Sequence, residues 1–486
     1  MRCQSGHSTD EASNDRGGKG RSNRQTGKGN RPVSTQHRDQ EVLQTKLERV
    51  EQRSRQDRRA VFNNLGHLLN LELLQSSYHS LEGSKAVGGD GITKDNYGKN
   101  LELNLEQLLL KIRRGAYHPK ASRIVEIPKV DGSMRPLAIS CFEDKIVQEA
   151  IRRIMERIYE PVFLNSSYGF RPKRNCHMAL TKLKEHLMSW ECRAVLEIDL
   201  QKYFNSIPHE PLIRLLKLKI ADERFLHLII KMLKAPFLQD NGEAIKNERG
   251  SPQGSILSPL LANIYLHYVL DIWFSWLNGK SYQRSARMVR YADDAVFVFA
   301  SMKNAESFRE ELTKRLEGFG IAVNESKTKV LASGRYEAAK CDRRGRRLPS
   351  FTFLGFMYVW GRSVGSKTGK KFLRVKLLTC PKRFKKKIFE IKTMIQKHRH
   401  NKHVIDHVIR VVDGYLNYFA VNDNTRRVSQ FTNEVRRILF KYLNRRSQRR
   451  SFKWEGFTRK LKSMGFPEVS VRHRIDIDLS IFRPRA

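Results

Sequence analysis

Cysteine is scarce in this sequence, and no two of its cysteines are separated by two positions. Six occur in 486 residues, at positions 3, 141, 176, 192, 341 and 380. That spacing supports neither a structural zinc site nor a compact disulfide framework, so reduced thiols are expected. Long hydrophobic runs are also missing. The longest, such as "FLHLIIKML" at 225–233, fall far short of the ~20 residues of a membrane span. No signal peptide with an apolar core is recognisable. These absences point away from the membrane and toward the cytoplasm of a bacterium or the interior of an organelle. Acidic residues are the third shortage. Fifty Asp and Glu stand against 92 Lys and Arg, a formal net charge of +42. Such a chain repels itself unless a polyanion neutralises it, and nucleic acid is the first candidate.

The charge is unevenly spread. In residues 363–486, 32 Lys and Arg face 9 Asp and Glu, so this quarter of the chain carries +23 of the +42. "PKRFKKKIFEIKTMIQKHRH" and "NEVRRILFKYLNRRSQRRSFKW" interleave basic and apolar residues at helical spacing. Helices of that kind can pack one face on a core and offer the other to phosphates. At the opposite end, residues 1–60 are rich in Gly, Ser, Asn, Lys and Arg. "DRGGKGRSNRQTGKGNRP" has no periodicity with which to bury a core, so a disordered basic arm is expected, with some helix from near Glu41.

Between these ends the pattern is mixed α+β. "LELNLEQLLLKIRRG" (101–115) reads as a helix stopped at Gly115, and "KIVQEAIRRIMERIYEPVF" (145–163) as a strongly amphipathic helix. "SRIVEIPKVDGSMRPLAI" (122–139) reads as two strands around Asp131-Gly132, and "AVLEIDL" (194–200) as a buried strand. In "VRYADDAVFVFA" (289–300), Asp293 and Asp294 sit between two apolar stretches, which predicts a hairpin tip. If that hairpin lies beside "AVLEIDL" in one sheet, Asp199 joins the pair. Three carboxylates together are stable only with cations present, and two Mg²⁺ ions would suit such a site for phosphoryl transfer, with Mn²⁺ as a substitute.

At this point the chain resembles the group II intron-encoded reverse transcriptase/maturase family. "YADD" and "DLQKYFNSIPH" resemble its two metal-binding palm motifs, and "RGSPQGSILSPLLANIYL" (249–266) its nucleotide- and primer-contacting segment. "IPKVDGSMRPLAI" and "SSYGFRPKRN" (166–175) resemble the fingers motifs, and "GGDGIT" (88–93) an upstream motif of the intron class. "NESKTKV" and "FTFLGF" follow in the expected order, and "VVDGYLNYFAV" and "LFKYLNRRSQRRSF" resemble the maturase region. The resemblance covers about residues 61–460.

It implies a right-hand polymerase fold. An N-terminal extension (1–60) would precede fingers and palm with an antiparallel palm sheet (61–362). An α-helical thumb/maturase domain (363–460) and a basic tail (461–486) would follow. Asp199, Asp293 and Asp294 would hold the metals, helped by the Leu200 carbonyl. Lys129 and Arg135 would hold the incoming triphosphate, and Gln253 and Gly254 would lie against the nucleotide. Phe204 would sense the sugar, with Lys327 a charge partner. Arg445, Arg446, Arg449 and Arg450 would contact RNA. The partners implied are intron RNA, an RNA template, a DNA primer or target DNA, and dNTPs; a homodimer is allowed. Asn205 stands where many relatives carry Asp, and Ser251 and Ser255 where Thr and Gly are frequent. No array of Cys and His follows residue 460, so no endonuclease domain of the HNH kind is expected there. A reverse transcriptase domesticated for phage defence or CRISPR work, and a splicing-only RNA-binding protein, are the competing readings. The intact aspartates argue against the second.

Neutralising phosphates releases counterions, so log affinity for RNA should fall linearly with log salt. Replacing Arg445, Arg446, Arg449 and Arg450 with Ala should flatten the slope by about 0.7 to 0.9 for each phosphate that is no longer neutralised. Filter binding across a salt series measures it. An unchanged slope would put the RNA surface elsewhere.

Overall fold

The computed structural model describes residues 33–128, 134–189, 191–238, 243–364, 371–444 and 451–477. Eleven strands make three sheets among the described residues. Strands β1 (Ser122–Pro128) and β2 (Met134–Ile139) form an antiparallel hairpin. Its Asp131-Gly132 tip lies outside the described residues. Strand β3 (Ala194–Ile198) belongs to another sheet, while β4 (Phe237–Leu238) and β5 (Ala244–Ile245) extend the first. β6 (Arg287–Tyr291), β7 (Asp294–Phe299) and β8 (Lys329–Ala332) join β3. The third sheet contains β9 (Phe351–Phe353), β10 (Phe356–Val364) and β11 (Lys371–Thr379).

The second sheet is the centre of the molecule. Its order is β6-β7-β3-β8, and every neighbouring pair is antiparallel. Successive side chains on a strand point to opposite faces, and here both faces are covered. Ala194, Leu196, Ile198, Phe297 and Phe299 enter one core, and Val195, Val296 and Val298 the other. The first core is sealed by helix Met302–Gly318, whose Phe308 ring lies 4.8 Å from Phe297 and 5.2 Å from Phe299 between centroids. Helix Cys176–Met188 covers the second face with Leu180, Leu183 and Leu187. This explains why "AVLEI" and "DAVFVF" are nearly continuous apolar runs instead of alternating ones.

Both predicted helices form. Helix Leu101–Arg113 ends as its glycine dictates. Gly115 takes φ +69, its N–H donates to Ile112 O, and Ala116 N–H donates to Lys111 O. The last carbonyls are thereby satisfied by a left-handed residue that glycine adopts without strain. Helix Phe142–Tyr159 buries Ile146, Val147, Ala150, Ile151, Ile154, Met155 and Ile158.

Three expectations about the ends need correction. Helix Val33–Gln56 begins well before Glu41 and belongs to the folded body: Leu43 and Leu47 are buried, and Ser54 donates 2.6 Å to the Ile158 carbonyl. Only a few apolar positions anchor it, so its composition reads as polar. The boundary at 362/363 cuts a hairpin, since β10 pairs with β11 along its whole length; the helical part starts at Pro381, with helices Pro381–His398, Val404–Phe419, Thr425–Leu443 and Trp454–Ser463. Finally, much of the expected tail packs back. Phe466 and Ile475 are buried, and His473 bridges to Val421. Among the described residues no helix is long and apolar enough to cross a membrane.

A buried charge cluster ties this last segment to the centre. Lys184, on helix Cys176–Met188, donates to Asp423 Oδ2 at 2.8 Å and to the Ile475 carbonyl at 3.0 Å, and Arg374 of β11 lies 2.6 Å from Asp423 Oδ1. Removing one partner of such a pair strands the other charge. Asp423→Ala should therefore cost about 3 to 5 kcal/mol in a denaturant melt. A change below about 1 kcal/mol, the scale of an exposed pair, would mean that the cluster holds nothing together.

Candidate active site

The hairpin forms, but its turn lies one residue earlier than the expected Asp293-Asp294 tip, and Asp294 is the first residue of β7. Tyr291 pairs with Asp294, leaving Ala292 and Asp293 as a two-residue turn between β6 and β7. Ala292 takes φ +57, a strained value for a residue with a Cβ. The strain is held by Arg290, which is fully buried. Its Nε and Nη2 donate to the two oxygens of Asp271 at 2.8 and 2.6 Å. Its Nη1 donates to the Ala292 carbonyl and to Asn263 Oδ1, both at 2.9 Å. Asn263 in turn donates 2.7 Å to the Gly169 carbonyl. Gly169 lies so close to the turn that a Cβ would stand 2.4 Å from Ala292 N. Asp271 ends a π-helical stretch, His267–Asp271, a distortion that turns a side chain out of ordinary helical register.

Asp199 follows β3 directly, and Ile198 pairs with Ala295, so Asp199 shares the sheet end with the turn. Its Oδ2 accepts from Asn324 Nδ2 at 2.9 Å and lies 3.4 Å from Lys327 Nζ. Leu200, next in sequence, bridges to Val323 and is buried. The carboxylates feel one another. Burial, then the Asp199 charge, raises Asp293 above the usual carboxylate range, while Arg135 opposes the rise. Asp294 opens to the cleft yet is crowded by protein; burial, then Asp293 and Asp199, push it up to about 7. Glu197 is likewise pushed up to about 7 by burial and by Asp294.

Glu197, Asp199 and Asp294, though not Asp293, line a cleft of about 420 Å³ that also takes in Lys327, Lys329, Lys382 and Arg383. Arg383 reaches it from helix Pro381–His398 across Gly355, where a Cβ would lie 2.9 Å from its guanidinium. Leu354 and Gly355 both have positive φ in the tight turn joining β9 to β10, which is the backbone reason for the glycine of "FLGF". Among the described residues no three His, Cys, Asp or Glu side chains converge into an enclosing metal-ligand group. The expected triad thus shares one sheet end without forming a metal-ligand group, and Asp199 is engaged by Asn324 and Lys327. Hard oxygen donors whose charges oppose one another still fit a hard divalent cation.

A second group lies beside the first. Phe204 is half-buried, and its carbonyl accepts from Ser251 N at 2.7 Å. Gly250 abuts Asn205, with a Cβ position 2.7 Å from the Asn205 Cα. Gln253 O accepts from Ala138 N at 2.6 Å, and Gly254, at φ +109, would drive a Cβ to 2.5 Å from the Ala138 carbonyl. The "RGSPQGS" segment is thereby stitched between residue 204 and strand β2. Arg135 is exposed on that strand, near enough for its charge to act on Asp293. Lys129, Arg445, Arg446, Arg449 and Arg450 lie outside the described residues. Sequence reasoning missed Asn324, Arg383, Glu197 and the Arg290 network. One signal was available, a charged residue inside an otherwise apolar strand.

Comparison with known proteins identifies a reverse transcriptase domain in this chain. The profile "Reverse transcriptase (RNA-dependent DNA polymerase)" matches residues 127–358. Group II intron-encoded protein LtrA of Lactococcus lactis subsp. cremoris is 41% identical over 223 residues, 46% of this chain and 37% of that protein. Protein YkfC of Escherichia coli (strain K12) is 36% identical over 284 residues, 52% of this chain and 74% of that protein. Nuclear intron maturase 4, mitochondrial, of Arabidopsis thaliana is 27% identical over 146 residues, 30% and 18% respectively. The match thus spans little more than a third of the lactococcal protein's length.

Arg290→Met would leave Asp271 as an uncompensated buried charge and release the Ala292 carbonyl. A stability loss of about 3 to 5 kcal/mol is expected. An Asp271→Leu, Arg290→Met double variant should regain most of it, since apolar replacement of a buried pair is often neutral. Chemical denaturation of the three proteins decides. A double variant no more stable than the single would refute this electrostatic account.

Proposed function

We propose that this chain, which belongs to the group II intron-encoded reverse transcriptase/maturase family, copies RNA into DNA and binds intron RNA to assist its splicing and mobility. What supports the reading most is the placement of Asp199, Asp293 and Asp294 at one end of an antiparallel sheet, with Asp199 and Asp294 lining a cleft that cations also line. In this reading the central sheet is the palm. The β1–β2 hairpin belongs to the fingers, and the basic helices from Pro381 onward form the thumb and maturase region.

Asp199, Asp293 and Asp294, with the Leu200 carbonyl, would hold two Mg²⁺ ions, for which Mn²⁺ substitutes. Metal ions held there would supply Lewis-acid activation of a primer 3′-hydroxyl and charge stabilisation for the leaving pyrophosphate. The chain's own groups do the rest. Arg135 and Lys129 bracket the triphosphate of the incoming dNTP. Gln253 lies along the nucleotide, and Gly254 lets the backbone approach it. Phe204 meets the sugar and excludes a 2′-hydroxyl by contact. Lys327, 3.4 Å from the Asp199 carboxylate, helps to orient it. The partners are intron RNA, which the basic C-terminal surface with Arg445, Arg446, Arg449 and Arg450 would hold, an RNA template, a DNA primer or target DNA, and dNTPs. The site of action is the cytoplasm or an organelle.

Asp293→Asn should abolish cDNA synthesis, because it removes one metal-binding charge at the turn. Binding of intron RNA should survive, because most of the basic surface lies elsewhere. Primer extension and RNA binding are measured on the same variant. Full-length cDNA at near wild-type rate would sink the assignment.

A further inference from the structure

Phe170 occupies a position that packing does not account for. The residue is 55% exposed, and its backbone adopts φ +54. Each feature is unfavourable: a side chain with a Cβ is strained in the left-handed region, and an aromatic ring in water forgoes its burial. Both neighbours hold it there. On one side Gly169 is pinned by Asn263 and pressed against Ala292 of the catalytic turn. On the other, Arg171 is buried, its guanidinium bonded to the Glu160 carboxylate and to the carbonyls of Leu164 and Ser167. The strained backbone is thus over-determined, a condition that marks functional positions.

The ring so presented meets Phe204. Their centroids are 6.5 Å apart with an interplanar angle of 85°, an edge-to-face pair. Tyr203 meets Phe204 as well, at 5.7 Å and 63°. Phe204 is only half-buried and packs against the core through part of its surface. A side chain that rejects an oxygen atom by contact works only if it cannot swing aside. Tyr203 and the core restrain part of the ring, and Phe170 adds a further contact.

We propose that Phe170 is a positioning residue for sugar choice, its ring bracing Phe204 so that deoxynucleoside triphosphates are taken and ribonucleoside triphosphates refused. The proposal rests on the polymerase reading and on Phe204 as the sugar-contacting group. It adds the reason why a strained, exposed phenylalanine is held beside the catalytic turn, and it makes sugar choice depend on a pair of rings instead of one.

The test is single-nucleotide extension with dNTP and rNTP on an RNA template, together with thermal melts. Phe170→Gly suits the conformation, since glycine adopts positive φ freely. Its melting temperature should hold or rise, its dNTP rate should persist, and its preference for dNTP over rNTP should fall roughly tenfold, about 1.4 kcal/mol. Phe170→Tyr should keep the preference. In a Phe204→Ala background, Phe170→Gly should change sugar choice no further. Three results would overturn the proposal alone: an active Phe170→Gly enzyme with wild-type preference, a full additional effect on top of Phe204→Ala, or loss of melting temperature and all activity together. A wild-type chain that extends with neither nucleotide would instead overturn the polymerase reading, and the proposal with it.

Discussion

A single buried arginine organises the centre of this protein. Arg290 lies in β6 with no exposed surface, and its guanidinium joins four elements: the π-helical Asp271, Asn263 on helix Ser258–Leu266, the Ala292 carbonyl of the turn and, through Asn263, the Gly169 carbonyl. Its backbone adds more, since Arg290 N donates to Ser166 O and Tyr168 N donates to Arg290 O. A charge in that position is costly unless every donor is satisfied. Each of its three guanidinium nitrogens has a partner. The tight turn with Asp293 at its tip therefore rests on a fork of hydrogen bonds that fits only when the loop 164–171, the helix and the hairpin are all in register.

The second organising feature is electrostatic. A chain of net charge +42 places its acidic concentration at one sheet end and then surrounds it with cations from distant segments. Lys327 comes from the loop before β8, Arg383 from the helix after β11, and Arg135 from the outlying hairpin. The balance is incomplete. Asp294 and Glu197 remain far above the ordinary carboxylate range, mainly through burial.

Much of this was readable in one dimension. The strand runs around Asp199 and Asp294 are apolar because both sheet faces are covered, and that pattern survives without knowledge of what covers them. The hairpin itself follows from the polar gap between such runs, although its turn falls at Ala292-Asp293 and not at the Asp293-Asp294 pair. Helix Val33–Gln56 was less legible. Its contribution to the core comes from Leu43 and Leu47 on an otherwise charged surface, too few apolar positions to separate a docked helix from a solvated one. The packed segment after residue 463 was hidden for the same reason: Phe466 and Ile475 are its only fully buried apolar side chains among the described residues.

By itself the sequence determined the α+β class, the mutual order of the motifs, the three aspartates and the basic character of the C-terminal quarter. Each of these depends on local pattern or on composition, which short-range periodicity and charge counting can read. Tertiary structure alone decided that Arg290 anchors the turn, that Asn324 and Lys327 engage Asp199, that Arg383 enters the cleft over Gly355, and that Phe170 turns its ring to Phe204. Those partners are brought together from segments tens to more than a hundred residues apart. Their pairing depends on distances and ring orientations that no residue encodes until both cores have closed around the sheet.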